Sequence, residues 1–285
     1  MNKLMIGSAN FGVKYGFKNQ HKQLNFDAVS NILDFAWKNN IDFIDTAMGY
    51  GNSESVIGNY LGNNLQKDFI IVTKINKVEN SYLHLKESLG RLKKENVYGV
   101  LVHNFNYYEE SHSIYDNILR FKDEGYCKKV GFSLYYPEEL LYLIEKKIQF
   151  DIVQIAYSVF DRRFEKYFPI LKELNVEIHV RSVFLQGLFF LNTSGLSSHF
   201  DRVKPKIEKI QQLSQTSGIS IASICLNFVS HNDNITKIII GVDNVEDLQD
   251  NINVSQEKER LKPYIGFLQE LEEQDVNILF PHFWK

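Results

Sequence analysis

Ile41-Asp42-Phe43-Ile44-Asp45-Thr46-Ala47-Met48-Gly49-Tyr50-Gly51 is the stretch on which the reading of the fold turns. A short apolar run ends in a carboxylate, turns through small residues and delivers a tyrosine five positions later. In a chain of alternating strands and helices, this pattern is a parallel strand whose carboxyl end opens into a functional loop. A carboxylate buried at a strand end needs a cationic partner. A tyrosine beside such a pair can be a general acid where a nearby cation lowers its pKa from about 10. The stretch therefore predicts a lysine and a polar helper at the ends of neighbouring strands.

Apolar, β-branched runs of the same kind lie on both sides of it. With Ile41–Asp45 they are Lys3–Gly7, Phe69–Lys74, Val97–His103, Lys129–Ser133, Asp151–Ile155, Val176–Arg181 and Thr236–Gly241. Most are spaced by about 25–40 residues, a strand plus a returning helix. Helical periodicity fills the gaps. Phe26, Val29, Ile32, Leu33, Ala36 and Trp37 mark one apolar face, with Asn25 as N-cap. Tyr82, Leu85, Leu89 and Leu92 mark a second, and Leu140, Leu141 and Ile144 a third behind Pro137. Ile170, Leu171 and Leu174 form a short fourth. Two more, Lys204–Gln215 and Ile219–Ser230, are split at Gly218. An amphipathic helix over Glu257–Gln274 precedes the aromatic tail Phe280-Pro281-His282-Phe283-Trp284-Lys285.

Eight alternations without a second composition regime predict a single (β/α)8 TIM barrel domain over residues 1–285, with an additional C-terminal helix and a short aromatic tail. An open doubly wound sheet would place a G-x-G-x-x-G turn after its first strand. Here that strand runs into Gly7-Ser8-Ala9-Asn10-Phe11-Gly12, which lacks the spacing.

Composition narrows the function classes. With 44% hydrophobic and 24% charged residues, the 285-residue chain has the make-up of a soluble globular protein. A net charge of −3 without a basic stripe does not imply a nucleic-acid partner. No apolar run reaches the roughly 20 residues of a membrane span. Met1-Asn2-Lys3 leads into a strand rather than a signal-peptide h-region, so the expected location is the cytoplasm. Cys127 and Cys225 have no metal-ligand spacing and are expected as thiols, Cys225 as a small core residue. The eight histidines are scattered, and no metal site is expected.

Catalytic groups of such a barrel sit at the carboxyl ends of its strands. The second, third and fourth strands end in Asp45, Lys74 and His103, and Tyr50 follows Asp45. Singly, each has a bland explanation: a helix cap, a solvated lysine, a core histidine, a packing tyrosine. Together, three ionisable groups ending three consecutive apolar strands must face one barrel mouth.

At these residues the sequence resembles the aldo-keto reductase family. Asp-Thr-Ala-x-x-Tyr-Gly stands at Asp45–Gly51, followed by Ser53, Glu54 and Gly58, and Lys74 and His103 complete the family's catalytic tetrad. Gly131-Phe132-Ser133 and Gln154 resemble segments whose Ser and Gln hold the nicotinamide carboxamide. Leu185-Gln186-Gly187-Leu188 resembles the loop over the cofactor, and Ile239-Ile240-Gly241 through Asn251 the dinucleotide-phosphate segment. The resemblance implies a small-molecule carbonyl substrate reduced by NAD(P)H, with Tyr50 as proton donor, Lys74 held by Asp45 to favour phenolate, and His103 orienting the carbonyl. It places Ser133, Gln154, Arg181, Ser182, Phe184, Gln186, Gly187, Gly241, Asp247 and Asn251 at the cofactor.

Three positions depart from the family pattern. Leu134 stands where an Asn commonly follows the fifth-strand Ser. Arg181 falls where an aromatic usually stacks on the nicotinamide; it can stack as a planar guanidinium, reach a substrate phosphate or carboxylate, or pair with a neighbouring acid. The positions that pair the 2′-phosphate of NADPH hold Gly241 and Asp247. Asp247 would repel a phosphate and accept from a ribose hydroxyl, or simply favour the first turn of a helix beginning near Asn244. The family habit is NADP(H), and the local chemistry also admits NAD(H).

The opening Leu4–Gly12 with Tyr15-Gly16, and Val180–Gly187, resemble a bacterial branch associated with cell-surface sugar biosynthesis, which suggests a keto-sugar or nucleotide-linked sugar substrate. Tyr157, Phe160, Asp161 and Arg162 are candidate substrate contacts, or else loop-packing residues. Phe280, Phe283 and Trp284 either close the pocket or pack beneath the barrel. Two rival functions remain: a non-catalytic nicotinamide-binding regulatory barrel, and a Schiff-base lyase or isomerase using Lys74 as its amine.

Overall fold

The computed structural model describes residues 3–14 and 23–284; Met1, Asn2, Tyr15 and Gly16 lie outside the described residues. Eight parallel strands close into a barrel in sequence order: β1 (Leu4–Gly7), β2 (Phe43–Asp45), β3 (Ile70–Ile75), β4 (Val97–Val102), β5 (Cys127–Ser133), β6 (Ile152–Ala156), β7 (Glu177–Arg181) and β8 (Ile235–Gly241). β8 pairs with β1 from Leu4↔Ile238 to Gly7↔Gly241 and so completes the ring. The fold is a (β/α)8 TIM barrel. All eight expected strands are present, each shifted by a residue or two at an end. His103 lies just past β4, where its N–H still donates to Ile75 O at 2.9 Å.

Residues on a strand alternate between the two faces of the barrel wall. Met5, Phe43, Val72, Leu101 and Ile152 fill the inside as one apolar plug. The opposite faces, among them Ile6, Ile44, Ile71, Val100, Val130, Val153 and Val180, join the helices in the larger core. The helix Phe26–Lys38 follows its sequence signals: Asn25 Oδ1 accepts the Ala28 N–H at 2.8 Å, and Val29, Ile32, Leu33 and Ala36 are buried. Its face is narrower than expected, since Phe26 is exposed. In Pro137–Glu145 the buried residues are Leu140 and Leu143, and Leu141 is exposed. In Phe168–Glu173 the buried residues are Phe168 and Leu171, while Ile170 and, past its end, Leu174 face out. Each of these short helices buries a stripe only one side chain wide, which apolar spacing alone overestimates.

Gly218, at φ 67°, separates Lys204–Ser217 from Ile221–Ser230 as a left-handed cap that a β-carbon would strain. The expected helix over Glu257–Gln274 is instead three pieces: Lys258–Leu261, a 3-10 turn at Lys262–Tyr264, and Ile265–Gln269. Pro263 has no N–H for the α-ladder and interrupts it. The chain then turns at Glu273, whose carboxylate accepts the Gln274 and Asp275 N–H groups at 2.8 and 3.0 Å and Lys206 Nζ at 2.9 Å. A last short helix, Val276–Leu279, leads into the tail. There Phe280 is buried edge-on against Tyr135 and Tyr136, just beyond β5, and Trp284 Nε1 donates to Ile278 O at 2.8 Å. The tail thus packs over the carboxyl-end rim. Cys127 and Cys225 are buried free thiols. Among the described residues no helix is long and apolar enough to cross a membrane.

Candidate active site

The ends of β2 and β3 lie side by side, with Asp45 in register with Val72, and bring two opposite charges into a dry wall. Lys74 Nζ donates to Asp45 Oδ2 at 2.7 Å and to Thr46 O at 2.9 Å, and its side chain is 0% exposed. The same ammonium lies 3.4 Å from the Tyr50 hydroxyl and 4.8 Å from the centre of its ring. Burial holds the Lys74 ammonium below the ordinary lysine range, with Asp45 pulling the other way. The His103 ring meets the Tyr50 ring edge-on, with centroids 5.4 Å apart. Burial, reinforced by the charges of Lys74 and Arg181, pushes the His103 imidazole from 6.5 down to about 3. At ordinary pH it is therefore neutral, able to donate one hydrogen bond but carrying no spare proton. The four residues expected from the strand ends converge.

Local sequence explains the placement of Tyr50. A β-carbon on Gly12 would lie 1.7 Å from Tyr50 O, so only glycine lets the β1 loop pass beneath it. Ser53 Oγ donates to Ser8 O at 2.9 Å, binding the next helix (Ser53–Asn63) to that loop. Glu54 is buried and accepts Thr73 Oγ1 at 2.6 Å, the Ser88 hydroxyl, and Arg91 Nε at 2.8 Å. This clamp fixes the residue preceding Lys74. Sequence reasoning noted Ser53 and Glu54 but missed Arg91, which no local pattern connects to them.

A cleft of ≈ 320 Å³ opens beside Tyr50. Its walls are Gly7, Ser8, Ala9 and Asn10 after β1, Asp45 and Tyr50, Gln154 of β6, residues 181–184, 186, 187 and 190 after β7, and Ile239, Gly241 and Asp243 of β8 and its loop. Of the expected cofactor positions, Gln154, Arg181, Ser182, Phe184, Gln186, Gly187 and Gly241 lie here. Gln154 differs in role, since its Nε2 donates to Asp45 Oδ1 at 2.7 Å and steadies the carboxylate from the side opposite Lys74. Ser133 is buried at the end of β5, paired in register with Gln154, and is not a wall of the cleft.

Asp247 and Asn251 are turned away from the cleft. Asp247 Oδ2 accepts the Asp243 N–H at 3.0 Å at the start of helix Val245–Ser255, and Asn251 Nδ2 donates back to Asp247 O at 2.8 Å. Both serve the helix terminus, and the acid of this segment that faces the cleft is Asp243. The four candidate substrate contacts are likewise elsewhere. Tyr157 bonds Glu165 at 2.9 Å, Phe160 packs on Phe189, Asp161 holds Arg163 at 2.8 Å, and Arg162 reaches Glu165 and Glu272. A tight turn, with Ser158 N donating to Asp161 O at 3.0 Å, folds that loop onto the C-terminal segment.

Sequence reasoning missed Ser8, Ala9, Asn10 and Asp243 as walls, although each follows the end of a strand. It also missed Asn76, two residues past Lys74. A β-carbon on Gly49 would fall 2.9 Å from Asn76 Nδ2 and 3.3 Å from the His103 ring, so Asn76 and the imidazole both close on Gly49.

A nicotinamide dinucleotide fits the cleft. Asn10 Oδ1 is a buried acceptor without a partner among the described residues, placed on the cleft wall to take a hydrogen bond from a ligand. Gly187 and Gly241 line the groove where a β-carbon would meet no atom within 4 Å, which leaves the room open. Ser182, Leu185 and Gln186, all at left-handed φ of 64°, 45° and 49°, shape the β7 loop over it.

The aldo/keto reductase family model matches residues 3–264. Among curated proteins, the uncharacterized oxidoreductase YqkF of Bacillus subtilis is 23% identical, spanning 86% of this chain and 88% of its own. YrpG of the same organism, also described as an uncharacterized oxidoreductase, is 24% identical over 92% and 90%. Among solved structures, the aldo-keto reductase AKR11C1 of Bacillus halodurans, in its holo form, superposes with a TM-score of 0.75 at 18% identity, over 96% of this chain and 94% of that one. PA4992 of Pseudomonas aeruginosa, assigned to the same reductases, superposes at 0.69 and 20% identity over 90% and 91%. With the family model spanning nearly its whole length, this chain belongs to the aldo/keto reductase family, a family of oxidoreductases.

Proposed function

We propose that the protein reduces an aldehyde or ketone to an alcohol with hydride from NADPH or NADH. The observation that carries this reading is the Tyr50 hydroxyl set 3.4 Å from an ammonium that Asp45 holds at 2.7 Å. When bound, the nicotinamide supplies the hydride; the chain supplies position and the proton. Tyr50 gives its phenolic proton to the carbonyl oxygen, and the adjacent Lys74 charge stabilises the phenolate left behind. Neutral His103 donates a hydrogen bond to the same oxygen, orienting it and stabilising the charge that develops there. Asn10, Ser182, Gln186 and the backbone at Gly187 and Gly241 would hold the cofactor. Asp243 on the cleft wall is chemistry that suits a ribose hydroxyl, so NADH joins NADPH as a candidate.

The Schiff-base alternative needs a lysine free to attack, whereas the ammonium of Lys74 is committed to Asp45 and Thr46. Within the reductase reading we keep the sugar-linked substrate class, cytoplasmic location and action as a single barrel domain without nucleic-acid or membrane partners. The test is Tyr50→Phe, assayed over keto-sugars and aldehydes with each cofactor. Turnover should fall about 10²–10⁴-fold while cofactor binding, followed by fluorescence quenching, is kept. Retained turnover removes Tyr50 from the acid role.

A further inference from the structure

We propose that Arg181 anchors an anionic group of the substrate, so that this protein acts on carbonyl compounds bearing a carboxylate or phosphate; the inference rests on the carbonyl-reduction reading above. Seven arginines occur in the chain. Six are ion-paired: Arg91 with Glu54, Arg120 with Glu124, Arg162 with Glu165 and Glu272, Arg163 with Asp161, Arg202 with Glu273, and Arg260 with Glu257. Arg181 makes no ion pair among the described residues, although it is partly buried on the wall of the cleft beside Tyr50.

Its guanidinium is nonetheless held firmly, and by neutral groups. One terminal nitrogen donates to Leu134 O at 3.1 Å, and the other lies 3.5 Å from Ser182 Oγ. The flat cation rests on the Tyr135 ring with its central carbon 4.4 Å from the centroid. Phe280 of the tail backs that ring edge-on at 5.7 Å. Stacking fixes the plane of the fork and leaves donors over for a ligand.

The nearby acids are occupied. Asp45 is bonded by Lys74 and Gln154. Glu139 accepts the Tyr135 and Tyr136 N–H groups at 2.7 and 3.1 Å. Glu177, on the same strand, is four residues back at roughly 13 Å and holds Lys129. Asp243, the other acid on the cleft wall, accepts Asn10 Nδ2 at 3.0 Å, and none of these carboxylates makes an ion pair with Arg181. A cation kept partly out of water without a counter-charge is costly, and a ligand anion relieves that cost. A planar fork suits the two oxygens of a carboxylate or phosphate.

The anion could belong to the substrate or to the cofactor's phosphates, and the experiment separates them. The probes are succinate semialdehyde and glyceraldehyde 3-phosphate, with their neutral counterparts 4-oxobutanamide and glyceraldehyde. In the wild-type protein, kcat/KM should favour at least one anionic probe over its neutral counterpart by about 10- to 100-fold, mainly through KM. Arg181→Met should collapse that ratio, and Arg181→Lys should restore part of it through charge without the fork. Whether the carboxylate or the phosphate probe loses more identifies the anion. The inference is overturned if the wild-type protein does not discriminate, or if Arg181→Met weakens NADPH or NADH binding by fluorescence quenching while the probe ratio stays. If no carbonyl compound is turned over, the parent reading fails instead. The inference is then decided by calorimetric binding of 4-hydroxybutanoate and glycerol 3-phosphate against their neutral counterparts, where equal affinities overturn it.

Discussion

The barrel holds a carboxylate, a tyrosine, a lysine and a histidine at both of its ends. At the carboxyl end stand Asp45, Tyr50, Lys74 and His103; toward the amino end stand Glu177, Tyr98, Lys129 and His179. In the lower set Glu177 accepts Lys129 Nζ at 2.7 Å, the Tyr98 hydroxyl at 2.8 Å and His179 Nε2 at 3.2 Å. What separates the two sets is wiring. Above, the phenol faces an ammonium; below, it donates to a carboxylate. Burial and then that hydrogen bond push the Tyr98 phenol up, opposite to what an acid catalyst needs. The cleft takes Tyr50 and Asp45 into its wall and none of the lower four. A carboxylate, a tyrosine, a lysine and a histidine are thus insufficient for chemistry. The phenol must lie between a cation and open space.

The largest effect expected from this contrast is on turnover. Lys74→Met removes the cation beside Tyr50, and carbonyl reduction should drop about 10²–10⁴-fold. Lys129→Met should leave turnover within about twofold. Stability should follow the same order. Lys74 and Asp45 are 0% and 4% exposed, so an unpaired Asp45 costs about 3–5 kcal/mol. Lys129 and Glu177, at 29% and 20%, keep access to water, and their separation costs about 1 kcal/mol. Equal losses of turnover in steady-state assays of the two variants would erase the distinction between the ends.

The strand ends made the upper set legible in sequence, because an ionisable residue after an apolar run marks a barrel mouth wherever the strand stops. The lower set was not legible, since Tyr98, Lys129 and Glu177 stand at or near strand beginnings, where an ionisable residue reads as ordinary flanking polarity. The same limit explains Asp247 and Asp243. The family pattern points to Asp247 in the final segment, but its carboxylate is spent on the Asp243 N–H, and only the turn into helix Val245–Ser255 decides which carboxylate of that segment faces the cleft. For Tyr157, Phe160, Asp161 and Arg162 the sequence left substrate contact and loop packing open, because the bond that seats their loop, Glu273 N to Phe160 O at 2.9 Å, joins residues more than a hundred positions apart.

Acid should loosen the two ends in different windows. His103 titrates at about 3 in the folded protein against 6.5 ordinarily. The unfolded chain therefore takes up this proton first, and stability falls as the pH drops below about 6.5, by at most about 1.4 kcal/mol per unit. Glu177 is held at about 2 against 4.5, the bonds from His179, Lys129 and Tyr98 outweighing burial. Its contribution is complete above about 4.5 and is lost below it, on the order of 1–2 kcal/mol after solvent screening. Urea unfolding from pH 7 to 3 should show His103→Asn flattening the curve from about 6.5 downward and Glu177→Gln only below about 4.5. Curves that flatten over the same range would mean the two groups do not titrate apart.

The smallest effect tests the wiring itself. Tyr98→Phe deletes one hydroxyl from the lower set and leaves the ring packed edge-on to Phe43 at 5.4 Å. Glu177 keeps Lys129 and His179, so no buried charge is stranded. The loss should be that of a single hydrogen bond to a carboxylate with other partners, about 1 kcal/mol in denaturant unfolding. Turnover should match the wild-type protein, because the phenol of Tyr98 is bound to an anion and lies on the amino-end side of the apolar plug of Met5, Phe43, Val72, Leu101 and Ile152. A fall in turnover beyond about threefold at full folding would mean that the lower set acts on the upper one through that plug, and the barrel's two ends would then have to be treated as one polar column.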